Sequence, residues 1–221
     1  MIIAIDGPAG SGKSSAAKII AQKMQFKHIN TGSMYRAVAW KAQQSGVGLN
    51  DEKQVAEVAW NLNIQFLPGP RGQSVLVDEK DVTGLLRSKT VDRDAAIVAS
   101  LGKVRELLVA KQREMGKNGS IVMEGRDIGT VVFPDADKKF FLDASPEERG
   151  KRRYLELKAK NQQVELDVIV EQIRLRDDKD RNRKVSPLKP AEDAICLDTT
   201  NMDLNEVVNQ MMGWIEKNPA H

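Results

Sequence analysis

The chain is short of several things, and each shortage removes a class of function. Of its 221 residues one is cysteine, Cys196, so no internal disulfide can form and a disulfide-stapled scaffold is excluded. Cys196 itself sits in the apolar run Ala194-Ile195-Cys196-Leu197, which reads as core. No apolar stretch approaches the ~20 residues of a membrane span. The N-terminus has no basic region leading into a signal-like core, because an apolar strand begins at once. These absences point to a cytoplasmic protein with no membrane partner. There is no Asn-Lys-x-Asp element, which a guanine-reading switch would need, and there is no internal repeat or low-complexity tract.

What remains is ordinary globular material, 41% hydrophobic and 29% charged, and long enough to bury a sizeable core. The net charge of +3 is unevenly placed. Residues 149–189 hold thirteen Lys and Arg against seven Asp and Glu, a local +6, so the rest nets −3. That is either a field for anions or a solvated helix face.

The stretch Gly7-Pro8-Ala9-Gly10-Ser11-Gly12-Lys13-Ser14 fits the phosphate-binding loop pattern. Glycines let backbone N–H groups turn inward around a phosphate, where side chains would clash. Lys13 brings a charge to the β- and γ-phosphates, and the Ser14 hydroxyl is a ligand for Mg²⁺. The flanks agree: Ile2-Ile3-Ala4-Ile5 reads as a buried strand, and from Ser15 to about Met24 the chain reads as helix. The loop therefore meets a helix N-terminus.

Further strands are predicted at 26–29, 121–123, 140–142 and 195–197, and helices at 33–44, at 167–180, and after the capping signals Ser145-Pro146-Glu147-Glu148 and Asp203/Glu206. Asn50 is placed as the cap of a helix ending near Trp60. A helix over 91–115 carries a break at Gly102. Residues 63–67, 74–77 and 81–83 read as a small antiparallel patch, with a turn at Pro68-Gly69-Pro70-Arg71-Gly72. Short apolar strands alternating with helices imply an α/β fold, a five-stranded parallel sheet with helices on both faces, which binds ligands at the carboxyl ends of its strands.

A phosphate loop says only that a nucleoside triphosphate binds. Three more stretches narrow the reading. In Thr31-Gly32-Ser33-Met34-Tyr35-Arg36, Arg36 sits one turn into a helix and can grip a phosphate, while Tyr35 offers a ring and a hydroxyl; a surface Arg and a core Tyr would look the same. In Gly125-Arg126-Asp127, the arginine follows a buried strand by two residues and Asp127 can accept from an exocyclic amine; alternatively the two form a loop-holding ion pair. In Arg174 to Arg183, residues Arg176, Asp180 and Arg183 are spaced to share one helix face, so Asp180 can hold both arginines.

Together with Glu124-Gly125-Arg126-Asp127-Ile128-Gly129-Thr130-Val131-Val132-Phe133-Pro134, these motifs resemble those of bacterial cytidylate kinases, in the same order and over nearly the whole chain. The resemblance implies a nucleoside monophosphate kinase fold: a core on residues 1–30, 85–148 and 185–221, a nucleoside monophosphate-binding insert on 31–84, and a lid with flanking helices on 149–184. It implies transfer of the γ-phosphoryl group of ATP to CMP or dCMP with Mg²⁺, by a monomer that binds no nucleic acid. By motif position, Arg36, Arg126 and Arg183 would hold the CMP phosphate, with Thr31 and Tyr35 nearby. Arg105 and Asp127 would read the cytosine edge, and Arg176 and Asp180 would reach the sugar. Gly7 to Ser15 would hold the donor, with Arg152 and Arg153 as lid arginines. Two positions depart from the family pattern: Ala96 stands where a base-contacting Ser is common, and Asn30 where an Asp is common.

A phosphate acceptor is already anionic near neutral pH, so no strong general base is needed. That fits a chain whose only histidines are His28 and His221. Catalysis would be positioning and charge stabilisation by Lys13, Arg126 and Arg183. The metal would sit on Ser14, with Glu124 as a further candidate. The competing readings are a P-loop kinase of another small metabolite or nucleoside monophosphate, a nucleotide switch, and a nucleic-acid binder. The last is disfavoured by the acids and single tyrosine interleaved in 149–189.

Overall fold

The structure, a computed structural model, describes residues 1–69 and 72–217. Pro70 and Arg71 of the expected turn, and His221, lie outside the described residues. In chain order the elements are β1 (Ile2–Asp6), α1 (Lys13–Met24), β2 (Lys27–Asn30), α2 (Thr31–Gln44), α3 (Glu52–Asn61), β3 (Ile64–Gly69), β4 (Gly72–Val77), β5 (Lys80–Asp81), α4 (Lys89–Val98), α5 (Gly102–Gly116), β6 (Ile121–Glu124), β7 (Lys138–Asp143), α6 (Pro146–Lys158), α7 (Leu166–Asn182), β8 (Ile195–Asp198) and α8 (Leu204–Lys217). Five strands form one sheet in the order β2-β6-β1-β7-β8, and β3-β4-β5 form a second. β1 runs parallel to both β6 and β7, and β7 is parallel to β8. The expected α/β architecture with a small antiparallel patch is the one found.

The chain packs as two compact units, residues 1–27 with 120–221, and residues 28–119. In the first, Ile3 and Ile5 of β1 are fully buried against Ala16, Ala17 and Ile20 of α1 and Val208 and Met211 of α8. Alanines on α1 let that helix close on the sheet, and each buried Ile or Met contributes roughly 1.5–3 kcal/mol. The caps form as the sequence implied. Ser145 accepts from the Glu148 N–H at 3.2 Å, and Asp203 and Glu206 exchange reciprocal bonds of 2.7 and 2.9 Å.

In the second unit, β3 and β4 pair antiparallel, Ile64 opposite Val77 and Phe66 opposite Val75. Their inner face joins Met34, Val38, Val55, Val98, Val104 and Leu108 in one core. Because α4 and α5 contribute to this core, the unit reaches past the 31–84 insert expected from the sequence and takes in residues to 119.

Several local expectations are corrected. Asp51, not Asn50, caps α3, accepting from the Gln54 N–H at 3.1 Å. The break expected at Gly102 is present, since the second helix starts there, but the first begins two residues earlier than expected, at Lys89, capped by Ser88. Cys196 is exposed, not core, because β8 ends the sheet order and only alternate residues such as Leu197 face inward. Among the described residues no helix is long and apolar enough to cross a membrane.

Candidate active site

The phosphate loop follows β1 and leads into α1. Gly7, Gly10 and Gly12 have φ of 143°, 80° and 92°, values that side-chain-bearing residues rarely adopt, and a Cβ on Gly7 would overlap the Leu142 carbonyl. Lys13 opens α1 and folds back over the loop, its Nζ donating to the Pro8 carbonyl at 2.6 Å and to Ser11 Oγ at 3.4 Å. Burial, helped by the nearby Arg126 charge, lowers the Lys13 pKa to about 7. A phosphate beside it would reverse that effect. Ser14 donates to Glu124 Oε2 at 2.6 Å, where β6 ends. Glu124 is 3% exposed. A hydroxyl against a carboxylate is a pair of hard oxygen donors, which suits Mg²⁺.

The segment after β6 is pinned from below. Asp6, the last residue of β1, accepts from the backbone N–H groups of Ile128 and Gly129 at 2.8 and 2.7 Å. Burial raises the Asp6 pKa to about 6 against the pull of those two bonds. The chain then makes a π-type turn, with the Val132 N–H bonded to the Asp127 carbonyl and the Phe133 N–H to that of Ile128. This anchors the two candidate residues just before the turn. Arg126 Nε lies 2.9 Å from Asp180 Oδ2, and Arg183 Nη2 lies 3.6 Å from Asp127 Oδ1.

Here the ion-pair geometry departs from the helical register expected for Arg176, Asp180 and Arg183. Helix α7 stops at Asn182, and Arg183 is extended (ψ 142°), its Nε bonded to the Ser186 carbonyl. Asp180 is bonded to Arg126, from another element. Burial pushes the Asp180 carboxyl up, but the charge and hydrogen bond of Arg126, with Arg176 and Arg183 beyond, hold it below its ordinary value.

Of the two lid candidates, one faces the loop. Arg152 donates to the Thr199 carbonyl at 2.6 Å and pairs with Glu148 at 3.1 Å, and its Nη1 is the atom that a Cβ on Gly12 would meet at 4.0 Å. Arg153 instead pairs with Glu156 at 2.7 Å on an exposed face. Arg149, which sequence reasoning missed, is 1% exposed and bonded to Asp177 of α7. Removing one partner from such a buried pair costs roughly 3–5 kcal/mol. A signal was available: a cation just past the first turn of α6, where the helix dipole disfavours positive charge, needs a partner.

In the 28–119 unit, Asn30 caps α2, accepting from the Ser33 N–H at 3.1 Å. The departure from Asp at this position thus retains a capping oxygen. Thr31 is 4% exposed. Gly32 leaves room for Arg36, whose Nη1 would stand 2.9 Å from a Cβ there. Arg36 pairs with Asp92 at 3.2 Å. Tyr35 and Arg105 meet face-on, the guanidinium carbon 5.5 Å from the ring centre, and Arg105 also donates to the Ala99 carbonyl at 3.2 Å. Ala96 is exposed on α4.

A phosphate loop at the strand ends of a parallel sheet, backed by paired arginines, defines a P-loop protein of the small-kinase type. The fold is similar to a shikimate kinase from Bacteroides thetaiotaomicron, with a TM-score of 0.50 over 98% of each chain; at 13% identity that likeness is one of fold alone. The cytidylate kinase family model matches residues 3–217. A cytidylate kinase from Desulforamulus reducens is 49% identical over 215 residues, 97% of this chain and 96% of the relative. One from Pediococcus pentosaceus is 46% identical over 214 residues, 97% and 95% of the two chains. The chain belongs to the cytidylate kinase family.

Proposed function

We propose that the protein transfers the γ-phosphoryl group of ATP to CMP or dCMP, giving ADP and CDP or dCDP. The observation that carries this reading is the clustering, within one unit, of a phosphate loop and two acid-paired arginines, Arg126 and Arg183. One arginine set would serve the donor and another the acceptor, as phosphoryl transfer between two anions requires.

In this reading the loop from Gly7 to Ser15, with Lys13, holds the donor phosphates. Arg152 faces them, and Arg153 joins only by leaving Glu156. Arg36, Arg126 and Arg183 hold the acceptor phosphate, with Thr31 and Tyr35 beside it. Arg105 and Asp127 read the base, and Arg176 and Asp180 the sugar. Because Asp180 and Asp127 already pair with arginines, those guanidiniums are oriented before substrate binds, which lowers the entropic cost of reaching the reactive geometry. Ser14 and Glu124 would hold Mg²⁺. When bound, the ion neutralises the β- and γ-phosphate oxygens. We assign residues 31–84 to acceptor binding and 149–184 to the lid, in a cytoplasmic monomer acting on small molecules.

A panel of acceptors separates this from the alternatives. With ATP and Mg²⁺, turnover is expected with CMP and dCMP, and less with UMP, AMP or GMP. Turnover that needs no acceptor would overturn the reading in favour of a nucleotide switch. Preference for a non-nucleotide alcohol would favour a different small-molecule kinase.

A further inference from the structure

Arg149 is the most buried guanidinium in the first unit, and one of its bonds reaches into the phosphate loop. Nε donates to the Ala144 carbonyl at 2.8 Å, Nη1 to the Ala9 carbonyl at 3.0 Å and to Asp177 Oδ1 at 3.1 Å, and Nη2 to Asp177 Oδ2. Ala9 lies in the phosphate loop. In a trans peptide the C=O and the following N–H point in opposite directions. A carbonyl of Ala9 held by Arg149 therefore turns the Gly10 N–H the other way. Packing supports the same contact: Gly10 has φ of 80°, and a Cβ on it would lie 3.2 Å from Arg149 Cβ. Asp177, in turn, lies on α7 between Arg176 and Asp180.

We propose that Arg149 is a positioning residue for ATP binding: it fixes the Ala9–Gly10 peptide in its phosphate-binding orientation and is itself held by Asp177. The arrangement makes seating of α7 a condition for a fully formed donor loop. A lysine cannot replace it, because one ammonium cannot bridge the Ala9 carbonyl, the Ala144 carbonyl and both carboxylate oxygens in a fixed plane. The proposal rests on the reading above that the loop takes ATP.

The test compares R149K, D177N and the double variant for KM with ATP, KM with CMP and kcat, alongside ADP binding by calorimetry. R149K is expected to raise KM for ATP and Kd for ADP about tenfold, the size of a lost charge-assisted contact, while KM for CMP moves less than about threefold. D177N should shift the same two quantities in the same direction by less, and the double variant should match R149K rather than multiply the two effects. Lower Tm with ADP affinity unchanged would overturn the proposal, as would equal rises in KM for both substrates. If R149K fails to fold, D177N reads the same split. If wild-type protein binds ADP but turns over no CMP, the proposed activity fails, yet the ADP titrations still decide the role of Arg149.

Discussion

The two units hold their candidate charges in different ways. In the first, Lys13 and Asp6 are buried and Arg126 partly so, and most of the groups are locked by partners far away in sequence: Asp6 by residues 128 and 129, Arg126 by Asp180, Ser14 by Glu124, while Lys13 bonds the nearby Pro8 carbonyl. In the second, Arg36 is a half-buried side chain paired with a half-exposed Asp92, and Arg105 rests on a ring of its own unit. A buried, prepaid geometry suits the group that moves charge during transfer, since it need not reorganise. A looser pair suits a group that must release one partner to take a substrate phosphate. The comparison therefore expects first-unit variants to lower kcat and second-unit variants to raise KM for the acceptor.

The largest effect should come from Lys13→Met, which removes the loop's only side-chain cation; kcat is expected to fall by roughly 10³-fold with the fold intact by circular dichroism. Arg183→Ala should lower phosphoryl transfer by roughly 10²–10³-fold while shifting ADP affinity by less than about threefold. Equal losses in both would mean that Arg183 supports the fold instead. On the other side, Arg36→Ala should raise KM for CMP by roughly 10- to 100-fold with KM for ATP unchanged. Asp92→Asn sharpens the point. If the Arg36 pair is loose and competes with substrate, this variant should leave KM for CMP the same or lower it by a few-fold.

A separate effect concerns pH. The Asp6 carboxyl titrates near 6 in the folded chain against 3.8 for an ordinary Asp, so the unfolded chain gives up its proton first. Stability from this group is then lost as pH rises from about 4 to about 6 and stays lost above. Between pH 4 and 7 that amounts to about 2 kcal/mol. Urea unfolding of wild type and Asp6→Asn at both pH values should show wild type losing more stability on the way up by about that amount. Identical changes would mean that Asp6 is not buried as an ionised group. Activity of Asp6→Asn should nevertheless drop, because an amide offers one oxygen to two N–H groups.

Much of the architecture was legible from local patterning. Alternation of apolar runs with capped helices implied the five-strand sheet, and Ser145-Pro146 and Asp203/Glu206 marked helix starts that the structure has. Those signals are local, so neighbouring residues suffice to decide them. The misreadings fell where tertiary packing decides. Cys196 looked apolar in its run, but position at the sheet edge exposes it. That the apolar faces of the helices over 89–98 and 102–116 share a core with β3 and β4 was not legible from their local patterning. The helix expected to carry Arg183 ends at Asn182, one residue before it.

The sequence by itself determined the phosphate loop, the order of the motifs and hence the family, because each is a short pattern whose chemistry depends on residue type and spacing. Only the tertiary structure decided which charge answers which: that Arg149 grips the loop, that Asp6 anchors the turn after Asp127, that Arg152 and not Arg153 faces the glycines. The reason is physical. Opposite charges attract over several ångströms whatever their separation along the chain, so the pairing is set by which side chains folding brings within reach and away from water.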